Sequence, residues 1–213
     1  MKIWIQLFIF CAALARASTI VLQSGVSPGE SNNISGANYV IPTPEPVWAV
    51  GPGEAEWISF ENTGWCTATN GACITLPNTT SVADPTAVFT QTFTDDIGTV
   101  LTGFVTVWAD DSAAVYLDGS LISAPATLLQ GPVHCSPASG ITCTGDGTIV
   151  DFTTTPGTHT LTFDVYQTGG ATFGLLYDGS VSDNWRCVPE PASWILLGIG
   201  LIAVGSRNIR RTG

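Results

Sequence analysis

Between Ala17 and Trp185 the sequence contains neither lysine nor arginine. All six basic residues stand near the ends, at Lys2, Arg16, Arg186, Arg207, Arg210 and Arg211. From Ser18 to Cys187 sixteen acidic residues face Arg186 alone. This absence excludes several functions together. Nucleic acid binding needs cations to displace phosphate counterions, and the body offers none. An anionic membrane surface is excluded on the same ground. Chemistry based on a lysine amine is excluded too. The partners left are neutral glycans, divalent cations and basic proteins, unless the acidic excess only keeps an exported domain soluble.

Helical periodicity is the second absence. No stretch of the body repeats apolar residues every three to four positions. Alternation is present instead. His159, Leu161, Phe163 and Val165 alternate with Thr160, Thr162, Asp164 and Tyr166. Ala171, Phe173, Leu175 and Tyr177 alternate with Thr172, Gly174, Leu176 and Asp178. Residues 86–94 and 99–108 read as strands of the same kind, with weaker ones at 19–22, 47–50, 56–60 and 148–153. Asp118-Gly119, Asp146-Gly147 and Asp178-Gly179 read as turns. Residues 25–46, rich in Gly, Pro, Ser and Asn, read as a long loop or covering arm. The expectation is an all-β body, a jelly roll or β-sandwich, over residues 18–187.

Long apolar runs occur only at the two ends. Lys2, the run 3–14 and Ala15-Arg16-Ala17 read as a signal peptide over residues 1–17, cut between Ala17 and Ser18 by signal peptidase. Cys11 leaves with it. At the other end stand Val188-Pro189-Glu190-Pro191, an uncharged run over 192–206, and Arg207, Arg210 and Arg211. As a helix the run spans roughly 22 Å, short of the ~30 Å hydrocarbon core. The three arginines can snorkel to the cytoplasmic headgroups and place the C-terminus inside. Pro-Glu-Pro alone is weak, since Pro44-Glu45-Pro46 repeats it with no apolar run behind.

This order of motif, apolar helix and basic end resembles the PEP-CTERM sorting tail of exported bacterial proteins. The resemblance covers about residues 188–211 of a tail spanning 188–213 and implies processing by an exosortase. It also implies an inner-membrane intermediate, then the cell surface or extracellular matrix of a Gram-negative bacterium, in association with exopolysaccharide and biofilm. Such tails also occur on ice-binding proteins. Here the threonines alternate on several strands without a fixed repeat, so a flat hydroxyl array is not expected.

Five cysteines follow the signal peptide. Their spacing suggests the pairs Cys66–Cys73 and Cys135–Cys143, while pairing across the two loops stays open. Cys187 is left over. There is no CxxC and no nearby His pair, so His134 and these cysteines read as loop residues rather than metal ligands.

Residues 107–119, VWADDSAAVYLDG, put a strand into an Asp110-Asp111 turn and a second strand into Asp118-Gly119. With the strand pair 160–178, this looks like the core of PA14-like and galactose-binding-like β-sandwiches, over residues 86–180. In a glycan-binding branch of the PA14 family, two adjacent Asp hold calcium, which holds sugar hydroxyls. Asp110 and Asp111 match that position, and no further ligands are matched. The other reading is a turn whose carboxylates cap backbone N–H groups.

Catalysis has little to stand on. Gly25-Val26-Ser27-Pro28-Gly29 fits G-x-S-x-G, but a nucleophile elbow needs a helix after the serine. No signature selects a carboxylate pair for glycoside hydrolysis. The expected function is that of a non-enzymatic exported surface or matrix protein. The alternatives are a calcium-dependent lectin-like module, a glycan-active hydrolase and an ice-binding protein.

Overall fold

The computed structural model describes residues 19–65, 74, 76–79, 81–96, 100–125, 135, 140–169 and 171–183. Eleven strands lie among them: β1 Thr19–Gln23, β2 Glu30–Asn32, β3 Tyr39–Val40, β4 Ile58–Ser59, β5 Ala87–Asp95, β6 Leu101–Asp110, β7 Ser112–Leu117, β8 Ser120–Ser123, β9 Thr148–Thr154, β10 Gly157–Tyr166 and β11 Gly174–Asp183. No helix occurs among the described residues, and none there is long and apolar enough to cross a membrane. The expected signal helix and the segment 192–206 lie outside them.

The strands form two antiparallel sheets. One has the order β3-β4-β11-β6-β9, with β1 also paired to β11. The other has the order β2-β5-β10-β7-β8. Alternation decides which side chains turn inward. Phe89 and Phe93 of β5 and Leu161, Phe163 and Val165 of β10 meet Val105, Val107, Leu175, Tyr177 and Val181 of the opposite sheet. The Phe163 and Tyr177 rings stack across the two layers, with centroids 4.7 Å apart. This is a β-sandwich, as the sequence implied.

The outward threonines stand in register despite the lack of a sequence repeat. Thr90, Thr92 and Thr94 of β5 face Thr162, Thr160 and Thr158 of β10. The register is set by the inward phenylalanines, which a search for repeats does not weigh.

Several sequence expectations need correction. Residues 47–50 form no strand, because Trp48 leaves the sheet direction to fill a second apolar cluster. The strand expected at 56–60 contracts to β4. The arm 25–46 contributes β2 and β3. Asp178-Gly179 is no turn but lies inside β11. Gly179 is required there because a Cβ would sit 2.1 Å from the Phe104 carbonyl oxygen on β6. We expect Gly179→Ala to cost about 3 kcal/mol or more, since backbone is the obstacle. That lowers the melting midpoint by roughly 6–12 °C. An unchanged thermal scan would show that β6 and β11 do not approach so closely.

β11 also breaks the expected one-faced alternation. Leu175, Leu176 and Tyr177 are all buried. The reason lies far away in sequence: Ile41, Trp48, Ala55 and Trp57 cover Leu176 and Trp108 from outside the sheet. Trp48 and Trp57 pack with centroids 4.2 Å apart. Cys135 and Cys143 join this cluster and are bonded to each other. Cys66, Cys73 and Cys187 lie outside the described residues.

Candidate functional site

β6 belongs to one sheet and β7 to the other, and only Asp111 separates them. The Asp110–Asp111 peptide bond is cis. The β10-to-β11 connection also crosses between the sheets at this end. Asp110 pairs with Gly174 and Ser112 with Tyr166, so the two crossings lie side by side. This placement explains the partners of both carboxyls.

Asp111 Oδ2 accepts hydrogen bonds from the Thr168 backbone N–H at 2.7 Å, the Thr168 hydroxyl at 3.0 Å and the Gly169 N–H at 2.9 Å. Asp110 Oδ2 lies 3.1 Å from the Trp48 Nε1–H donor and 2.7 Å from Thr172 Oγ1. The Oδ1 atoms of both residues are buried, and no donor outside the pair itself reaches them among the described residues. Asp110 and Asp111 are both buried. No lysine or arginine exists among the described residues to offset them.

Such a pair cannot carry two charges in a low-dielectric setting without help. Burial pushes Asp110 up to about 9, helped by the hydrogen bond and the charge of the adjacent Asp111 carboxyl. Thr172 Oγ1 points the same way. It lies 2.7 Å from Asp110 Oδ2 and 2.8 Å from Glu45 Oε2. A hydroxyl carries one proton, so one of these contacts needs a proton from a carboxyl.

Glu45 and Trp48 also line a cleft of about 430 Å³ beside the pair, walled by Ile41, Pro44, Ala49 and Trp57. Pocket volumes of this order suit small ligands. Sequence reasoning missed Glu45, Trp48, Thr168 and Thr172. The one available signal was Pro44-Glu45-Pro46, read only as a control for the sorting motif. Asp110, Cys135 and Cys143 place potential ligand atoms within 4.8 Å of one another. The cysteines are spent on their disulfide, so this trio is no metal site.

The other candidate residues have structural partners. Asp118 Oδ2 lies 2.7 Å from His159 Nδ1, and its Oδ1 accepts from the Thr160 N–H at 2.9 Å. His159 Nε2 lies 2.7 Å from the Thr155 carbonyl. Ser27 Oγ accepts from the Gln23 N–H at 2.7 Å and donates to the Val21 carbonyl at 3.2 Å. It sits between β1 and β2 with no helix behind it, so the G-x-S-x-G match builds no nucleophile elbow. Glu30 accepts from Tyr177 Oη and from the Gly25 N–H. Burial pushes both Glu30 and Tyr177 up. That contact ties the two sheets through the core.

The body is therefore an all-β sandwich with a closed pair of carboxyls at a double crossing. Residues 188–211 match the PEP-CTERM protein-sorting motif. The motif implies a secreted protein processed by an exosortase at the membrane. Val188, Pro189, Glu190 and Pro191, like Ala17 and Ser18, lie outside the described residues. No curated protein matches the sequence. Among solved structures, a family 35 carbohydrate binding module from Clostridium thermocellum is similar, with a TM-score of 0.39 and 6% identity over 76% of this chain and 97% of that one. A Podospora anserina GH26-CBM35 β-(1,4)-mannanase gives a TM-score of 0.38 and 10% identity over 81% of this chain and 29% of the enzyme. A Paenibacillus cycloisomaltooligosaccharide glucanotransferase, complexed with cycloisomaltoheptaose, gives 0.31 and 15% over 68% and 18%. Likeness at these scores leaves the ligand and activity of this chain open.

Proposed function

We propose that this chain is an exported, non-enzymatic surface protein whose sandwich binds glycan through calcium held by Asp110 and Asp111. The observation that carries the reading is the pair of buried Oδ1 atoms, which no donor outside the pair reaches and which a cation can take once the shared proton leaves. The opposite oxygens are already fixed by Trp48, Thr172, Thr168 and Gly169. That leaves Oδ1 of each carboxyl for a hard cation, which takes oxygen ligands. Bound there, calcium supplies the missing positive charge and coordination positions for sugar hydroxyls. Glu45 and Trp48 line the adjoining cleft and give a ligand its place. The acidic body favours neutral glycans over uronate or phosphate polymers. The sorting motif supports delivery to the surface, where exopolysaccharide is at hand.

The test is glycan-array binding of the full chain with calcium and with chelator. Calcium should raise retention about tenfold or more on some neutral glycans, a gap of ~1.4 kcal/mol. The Asp110→Asn, Asp111→Asn double variant should lose that gain. Calcium-independent retention that survives in the double variant would refute the reading, and turnover of the glycan would make the chain an enzyme instead.

A further inference from the structure

Among the described residues, the outer face of the β11-containing sheet is covered only in part. Ile41, Trp48, Ala55 and Trp57 close over Leu176 and Trp108, but among the described residues nothing covers the rows beyond them. One open row runs Val21–Ser180–Phe104–Asp151 across β1, β11, β6 and β9. Phe104 is 41% exposed and Val21 52%. Ile149, 65% exposed, stands diagonally beside Phe104, because Thr106 is its partner on β6. An aromatic ring thus lies in water on a sheet surface, with Ile149 diagonally beside it and Val21 in the same row beyond Ser180. Such a grouping marks a contact surface more than a scattered apolar residue does.

Two carboxylates flank the ring. Asp151 is the cross-strand neighbour of Phe104, and Asp178 lies one row away on β11. Sheet spacings place the two roughly 12 Å apart, with the ring between them. Asp178 Oδ1 accepts a hydrogen bond from Gln23 Nε2 at 2.8 Å. The described sandwich has no lysine or arginine to pair with either.

We propose that this face binds a polymer of glucosamine, whose free amines are cationic. Its ring C–H faces pack on Phe104, Val21 and Ile149. Its ammonium groups meet Asp151 and Asp178, and one near the ring gains a cation–π contact. Charge complementarity decides among occupants. Anionic polymers are repelled by the acidic body, and fully neutral ones offer the carboxylates hydroxyl donors but no opposite charge. A basic peptide supplies cations, but it loses more chain entropy on ordering, and extended peptides take sheet edges rather than faces. The inference goes beyond the calcium reading and uses none of its residues.

The experiment is titration calorimetry of the full chain with glucosamine oligomers and with their N-acetylated forms. The amine form should bind about tenfold tighter or more, and raising salt to ~1 M should weaken it strongly. Phe104→Ala should lose about tenfold in affinity at an unchanged melting midpoint, and Phe104→Tyr should keep it. Asp151→Asn should flatten the salt dependence. Equal binding by Phe104→Ala, or equal binding of the acetylated form, would overturn the proposal. So would tighter binding of a lysine-rich peptide. The Asp110→Asn, Asp111→Asn double variant should bind the amine polymer normally. Loss there with Phe104→Ala unaffected would leave the calcium site standing and remove this one.

Discussion

Replacing Trp48 with alanine is expected to lower the melting midpoint by roughly 6–20 °C. The size follows from what the side chain does. It packs against Trp57, with centroids 4.2 Å apart, inside the cluster that covers Leu176 and Trp108. Truncating a buried tryptophan costs about 3–5 kcal/mol. Its Nε1–H also donates to Asp110 Oδ2 at 3.1 Å, so the truncation removes a donor from a buried carboxyl that has few. Trp48→Phe separates the two effects. It keeps most of the packing, and its cost should be about 1–3 kcal/mol, the cost of a buried polar group left without its partner. Comparable midpoints for the alanine variant and the parent chain would mean that the arm does not cover the sheet.

The sandwich was legible where burial follows the strand period. β5 and β10 each have one face in the core and one outside, and their alternation is plain in the sequence; β9 is built the same way, but its outward Ile149 weakens the pattern. Asp118-Gly119 was legible for a local reason as well. Both residues have positive φ, 49° and 79°, as a tight hairpin turn demands. The spacing of Cys135 and Cys143 suggested the bond that joins them, while pairing across the two loops stayed open in the sequence.

What stayed hidden depends on contacts distant along the chain. Leu176 occupies a position that alternation assigns to solvent, and it is buried only because Trp48 and Trp57 arrive from more than a hundred residues earlier. Asp178-Gly179 has turn chemistry, yet its glycine answers to a carbonyl on the neighbouring strand. At the site, adjacency and the resemblance to the PA14-like position singled out Asp110 and Asp111. Their partners could not be found that way, because Thr168 and Thr172 reach them only through the second sheet crossing. Glu45 and Trp48 reach the pair only because the arm folds back over the sheet. The depth of the pair was hidden too, since two adjacent aspartates more often mark an exposed turn.

The central claim, that this carboxyl pair is a cation site, makes the second large prediction, and its sign follows from Asp110. Its carboxyl is raised from the ordinary 3.8 to about 9, so the ion-free folded chain holds a proton that the unfolded chain has released. That contribution is fully present below 3.8 and is lost as pH climbs toward about 9. Calcium must displace the same proton, so its affinity should rise about tenfold per pH unit across this window. The decisive measurement is thermal melting of the full chain with and without millimolar calcium at about pH 6 and about pH 8.5, beside the Asp110→Asn, Asp111→Asn double variant. The account predicts a calcium-dependent rise in midpoint that is large at the higher pH, small at the lower one and absent from the double variant. An equal calcium effect on both proteins, or no effect on either, would contradict it.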